Sequence, residues 1–197
     1  MGHGGGFDTA RLKRIGPAMQ AYVDRGVYAG IDILVARGGE IAYRETFGLS
    51  DREAKTPLTR DAIYRLYSMT KPVVCTALMT LVEEGRLRLF DPVAKYIPAF
   101  GATKVLGPDG ELVGQKRPML VRDLMMHTSG LTYSFLEDSP VCRQYERGKL
   151  FDARVALGAA IEDLATFPLA FQPGERFHYS VGIDAGESHL RFCSLVG

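Results

Sequence analysis

Cysteine and histidine are scarce in this chain of 197 residues. Cys75, Cys142 and Cys193 have no metal-type spacing, and His3, His127, His178 and His189 form no pair at ligand separation. A zinc site is therefore not expected, and neither is any other cofactor. An odd, sparse cysteine count fits a reducing compartment better than a disulfide framework. Net charge is also nearly missing: 24 Lys+Arg stand against 23 Asp+Glu. That balance gives no basis for a nucleic-acid groove or for attraction to an anionic membrane surface. No apolar run reaches the ~20 residues that span a bilayer. The opening stretch, Met1 to Gly6, has neither the basic region nor the apolar region of a secretory signal. Gly6 also breaks the myristoylation pattern. These absences point to a cytoplasmic protein with no nucleic-acid or membrane partner. Two familiar signatures of serine hydrolases are missing as well: no G-x-S-x-G elbow occurs, and no Ser-His-Asp triad is visible by spacing.

What is present is the composition of a globular chain, 46% hydrophobic and 24% charged. Phe7 to Gly26 reads as a helix, with Leu12, Ile15, Met19, Tyr22 and Val23 on one face. Ile31, Ile33 and Val35 alternate, and Ile41, Tyr43 and Phe47 answer them across Gly38-Gly39, which is a hairpin signal. Residues 49–67 read as a connecting loop. Met69 to Glu84 reads as a helix ended by Gly85, apolar on more than one face and so expected to be largely buried. Residues 101–118 read as a surface excursion, 120–126 as a short helix leading into a turn at 127–130, and 154–166 as a helix. Strands come first and helices follow, which is an α+β pattern. The expected organisation is a flexible tail over residues 1–10, one domain over 11–184 and a divergent tail over 185–197.

Ser68 and Lys71 stand three residues apart at the start of that apolar helix, so their side chains share one face. Pro72 fits the first helical turn, where its missing N–H costs little, and this places Ser68 at the helix start. A serine becomes nucleophilic only when a neighbour takes its proton. A lysine serves as that neighbour if burial and positive charge lower its pKa from about 10.4 towards neutrality. By itself the spacing is weak, since a chain this long yields roughly one chance match. A second group is needed to deliver a proton to the leaving group. Tyr179, in a segment preceded by Gln172-Pro173-Gly174, is the best candidate, with His178 and His127 as alternative bases. His127, beside Thr128-Ser129-Gly130, reads more readily as a turn residue bonded to backbone. Asp184 and the other acids form no recognisable glycosidase pair.

Tyr67-Ser68-Met69-Thr70-Lys71-Pro72 resembles the nucleophile motif of the serine β-lactamase-like hydrolases, a family of class C β-lactamases, penicillin-binding carboxypeptidases and related esterases. Leu124 to Leu131 resembles a turn motif of that group, and Phe171 to Ser180 the segment that carries its catalytic tyrosine. Gly85 to Val93 resembles its post-helix stretch. Together these cover about residue 10 to about residue 184. The resemblance implies a β-lactamase/transpeptidase-like fold. It implies Ser68 as the acylated nucleophile, with Lys71 and Tyr179 as general base and acid. It also implies the Ser68 amide as one oxyanion donor and a small-molecule ester or amide as substrate. Val181 stands where β-lactamases have an asparagine two residues after the tyrosine, which favours the esterase branch over lactam or D-Ala-D-Ala hydrolysis. The stretch from Ala185 no longer resembles the family, and the strand carrying its third motif is absent. The chain is therefore expected to be truncated. Its hairpin would then keep an open edge through which copies could associate, and a catalytically incomplete relative is the rival expectation.

Overall fold

The computed structural model describes residues 6–149, 152 and 154–186. The start of the expected flexible tail and residues 187–197 of the expected divergent tail lie outside the described residues. The chain divides into two compact units, residues 1–65 and 66–197.

In the first unit the expected single helix is two: α1 (Thr9–Leu12) and α2 (Ile15–Asp24). Asp8 caps α1 by accepting the Ala10 amide at 2.9 Å. The break has a reason in Pro17. Restarting the helix at Ile15 puts the proline in the first turn, where no intrahelical partner awaits an N–H. The hairpin forms as the alternation suggests. Strands β1 (Gly30–Arg37) and β2 (Glu40–Asp51) pair antiparallel across Gly38-Gly39, both at positive φ, the requirement of a two-residue type I′ turn. A bulge between Val35 and Ala36 corrects one assignment. Tyr43 and Phe47 face Val35 and Ile31, but Ile41 is shifted opposite Ala36 and lies 57% exposed, because one extra residue reverses the alternation. Residues 49–67 are not all loop: β2 continues to Asp51 and pairs with β3 (Thr56–Pro57). Among the described residues this sheet has the order β1-β2-β3, so the outer edge of β1 carries no strand.

The second unit opens with a tight 3-10 turn, Tyr67–Met69, running into α3 (Thr70–Glu83). Only one face of α3 is covered, by Val74, Leu78 and Leu81, which pack with Leu87, Val121 and Ile183. Met69 and Val73 are exposed, so the expectation of a largely buried helix fails. The described residues of this unit supply a covering layer on one side alone. The larger core gathers Phe100, Leu131, Tyr133, Ile161, Leu169 and Val181 with their neighbours. Around it lie α4 (Val121–Met125), α5 (Pro140–Tyr145) and α6 (Leu157–Leu164). The excursion at 101–118 is tied inward. Strands β4 (Val105–Leu106) and β5 (Leu112–Val113) form a small hairpin, and Val105 bridges in parallel to Leu169. Helix α6 begins at Leu157, three residues later than its periodicity suggests.

The turn after α4 is fastened on both sides. The carboxylate of Asp123, 2% exposed, accepts from Arg117 at 2.6 and 2.9 Å, from the Leu120 amide at 2.9 Å and from the Thr128 hydroxyl at 3.1 Å. Burial pushes its pKa up, but the Arg117 guanidinium and the Leu120 amide outweigh that and hold it below the usual carboxylate range. Across the turn, Gly130 O accepts the Ala170 amide at 2.8 Å and Thr128 O accepts the Gly174 amide at 2.7 Å. Gly130 has φ 89, and a Cβ there would collide with the Phe171 carbonyl oxygen. Gly130→Ala should therefore destabilise the protein by about 3 kcal/mol or more, read as a lowered urea midpoint. A midpoint unchanged within error would mean that the turn tolerates a side chain.

Candidate active site

Ser68 leaves the chain on the 3-10 turn just ahead of α3. Its predecessor Tyr67 has φ 48, a left-handed conformation that is uncommon for a non-glycine residue and is often held at functional turns. The turn presents an exposed Ser68, whose Oγ accepts a hydrogen bond from the Tyr179 hydroxyl at 2.7 Å. The two are 111 residues apart in sequence.

Lys71 follows in the first turn of α3 and points inward, its side chain 11% exposed. Its ammonium donates to the Tyr133 hydroxyl at 2.8 Å and to Asp184 Oδ2 at 3.1 Å. Tyr133 in turn donates to the same carboxylate oxygen at 3.2 Å, closing a triangle of hydrogen bonds. The Lys71 nitrogen also stands 5.5 Å from the ring centres of both Tyr133 and Tyr179. Burial alone would lower the Lys71 pKa, but the Tyr133 hydroxyl and the Asp184 charge outweigh it and raise the pKa above the ordinary lysine value. The expectation of a lysine tuned towards neutrality is thus overturned. A carboxylate at 3.1 Å keeps Lys71 an ammonium at neutral pH. Burial pushes the Tyr133 phenol up to about 12, against the pull of Lys71, so it stays protonated.

Tyr179 packs against two rings. Tyr133 stacks on it at 5.5 Å and 28°, and His127 lies 4.6 Å away at 42°. The two histidines weighed as bases are occupied elsewhere. His178 Nε2 pairs with the Thr132 hydroxyl at 2.8 Å, and His127 Nδ1 accepts the Ser180 amide at 3.1 Å. Val181 is wholly buried in the core, so the position two residues after Tyr179 offers the site no polar group. Asp184 comes from a helical segment described over 182–186.

The structure therefore brings Ser68, Lys71 and Tyr179 to one place, and adds two residues that the sequence reading did not assign there. Tyr133 had no motif of its own, although it lies just past the Gly130 turn. Asp184 carried no local signal either, because its partners Lys71 and Tyr133 are 113 and 51 residues away in sequence. Among the described residues no cluster of three or more His, Cys, Asp or Glu is arranged to hold a metal ion. Likewise no described helix is long and apolar enough to cross a membrane.

The Beta-lactamase family model matches residues 17–182. Esterase EstB from Burkholderia gladioli is 36% identical over 170 residues, covering 84% of this chain and 41% of the esterase. A putative D-alanyl-D-alanine carboxypeptidase from Escherichia coli is 29% identical over 183 residues, covering 89% of this chain and 39% of that protein. Among solved structures, EstCE1, described as a hydrolase with promiscuous acyltransferase activity, superimposes with a TM-score of 0.80 at 31% identity. That match covers 93% of this chain and 47% of EstCE1. The chain spans about 40% of the length of the curated relatives it matches.

Proposed function

The chain belongs to the Beta-lactamase family and has the β-lactamase/transpeptidase-like α+β fold, and on that premise we propose that it hydrolyses carboxylic esters through an acyl-enzyme on Ser68. The observation that carries this reading is the 2.7 Å contact between the hydroxyls of Tyr179 and Ser68. At that separation Tyr179, once its own proton has passed to solvent and it stands as the phenolate, can take the serine proton and become a phenol as Oγ attacks the ester carbonyl. The oxyanion of the tetrahedral intermediate would be met by the Ser68 amide at the helix start. Collapse breaks the bond to the alcohol oxygen, Tyr179 returns the proton to it, and the alcohol leaves. Water, deprotonated by Tyr179, then attacks the acyl carbonyl. Ser68 recovers its proton, and the carboxylic acid departs.

Lys71 enters this scheme as a fixed cation and not as the group that faces the serine. The Lys71 ammonium, 5.5 Å from the Tyr179 ring centre, places a positive charge beside the phenolate that accepts the serine proton and becomes a neutral phenol. Asp184 and Tyr133 hold that ammonium in place. Tyr179 thus carries the acid-base role, and Lys71 supports it as a fixed positive charge.

Esters are favoured over lactams because buried Val181 supplies no side-chain amide, and EstB and EstCE1 carry esterase or hydrolase descriptions. The test is a comparison of p-nitrophenyl acetate or butyrate with nitrocefin. Ester kcat/KM should exceed that for nitrocefin by roughly 10², the scale set by one missing polar donor. Nitrocefin turnover equal to the ester's would favour the lactamase or carboxypeptidase reading. A folded chain that turns over neither would favour a non-catalytic relative.

A further inference from the structure

We infer that His127 is the positioning residue for Tyr179, acting as an unprotonated acceptor for the Ser180 amide; the inference rests on the reading of Ser68 and Tyr179 just given. His127 sits in the turn after α4 at φ 56 and is 9% exposed. Its backbone carbonyl accepts the His178 amide at 2.8 Å, and its Nδ1 accepts the Ser180 amide at 3.1 Å. One residue therefore holds the amides on both sides of Tyr179. Its ring also lies 4.6 Å from the Tyr179 ring, on which Tyr133 stacks as well, and meets the edge of Phe177 at 5.9 Å. With its flanking amides fixed and its ring confined, Tyr179 has few ways to move its hydroxyl off Ser68. A catalytic group displaced by about 1 Å can lose on the order of 10² in rate.

The chemistry of the contact sets the protonation state. A backbone N–H has only its hydrogen to offer, so the ring nitrogen it faces must present a lone pair. The Ser180 hydroxyl approaches the same nitrogen at 3.3 Å. Protonating Nδ1 would set two N–H groups against each other. The charged groups that reach the imidazole are the Lys71 ammonium from α3 and the Asp184 carboxylate from the 182–186 segment, and the titratable ring packed on it is Tyr179. Burial first, and then Lys71, hold its pKa below the ordinary histidine value, while Asp184 pulls the other way. The neutral ring is thus favoured by folding. The arrangement persists through neutral pH and is lost only as pH falls through the lowered pKa.

The test follows the rate at which a fluorophosphonate labels Ser68, from neutral into acid pH, in the wild-type chain, His127→Phe and His127→Asn. Nitrogen NMR of the wild-type histidines runs alongside. His127→Phe keeps a ring and loses the acceptor, so neutral labelling should slow by roughly 10–10². His127→Asn restores an acceptor that does not titrate and tolerates positive φ. It should recover most of that loss and abolish the acid step seen in wild type. The wild-type step should coincide with protonation of Nδ1 in the NMR titration. An asparagine variant that keeps the wild-type acid step, or a wild-type Nδ1 already protonated at neutral pH, would overturn the inference while leaving the hydrolase reading intact. A folded wild-type chain that takes no label would instead overturn the hydrolase reading, and this inference with it.

Discussion

Ser68→Ala should lower p-nitrophenyl ester turnover by on the order of 10⁴ or more, to the background left by binding alone. The size follows from chemistry: without Oγ there is no acyl-enzyme, and water must attack the ester directly. The change should also be clean. Ser68 is exposed and, among the described residues, its hydroxyl has one side-chain hydrogen bond, from Tyr179, so the unfolding midpoint should move little. Lost activity with retained stability separates a nucleophile from a helix-capping serine, whose removal would cost about 1 kcal/mol and leave turnover alone. Residual turnover within tenfold of wild type would assign the chemistry to another residue.

Tyr179→Phe is expected to have the second-largest effect, a fall in kcat of roughly 10²–10⁴ with KM little changed, the range for loss of one general acid-base group. Phenylalanine keeps the ring that stacks on Tyr133 and His127 and deletes only the oxygen that meets Ser68. The result discriminates between two bases. If Lys71 took the Ser68 proton itself, the phenylalanine variant would keep most of its rate. The structure speaks against that route, because Asp184 and Tyr133 engage the Lys71 ammonium and raise its pKa. A kcat within a few-fold of wild type would return the base role to Lys71.

Much of this site could be read from the residues alone, and for identifiable reasons. The Ser68–Lys71 spacing and Pro72 are local signals, fixed by helix geometry, and they located the turn before α3. Gly38-Gly39 and Gly130 mark conformations that few other residues adopt, so the hairpin and the 127–130 turn were legible too. What escaped detection depends on contacts distant in sequence. The triangle of Lys71, Tyr133 and Asp184 spans 113 residues between its ends, and no local pattern reports that a carboxylate will meet the lysine. The sign of the Lys71 shift was misjudged for the same reason: burial was foreseeable, its partner was not. The bulge that turns Ile41 outward left no mark in the spacing of Ile41, Tyr43 and Phe47, and α3 looked buried because its apolar residues surround it, whereas among the described residues only its Val74–Leu78–Leu81 face is covered.

The most direct measurement is mass spectrometry of the folded chain after reaction with a fluorophosphonate, with peptide mapping of the adduct. A single adduct on Ser68, absent from Ser68→Ala and formed more slowly in Tyr179→Phe, is the predicted result. An adduct on another residue, or none on a folded chain, would contradict the assignment of Ser68 as nucleophile.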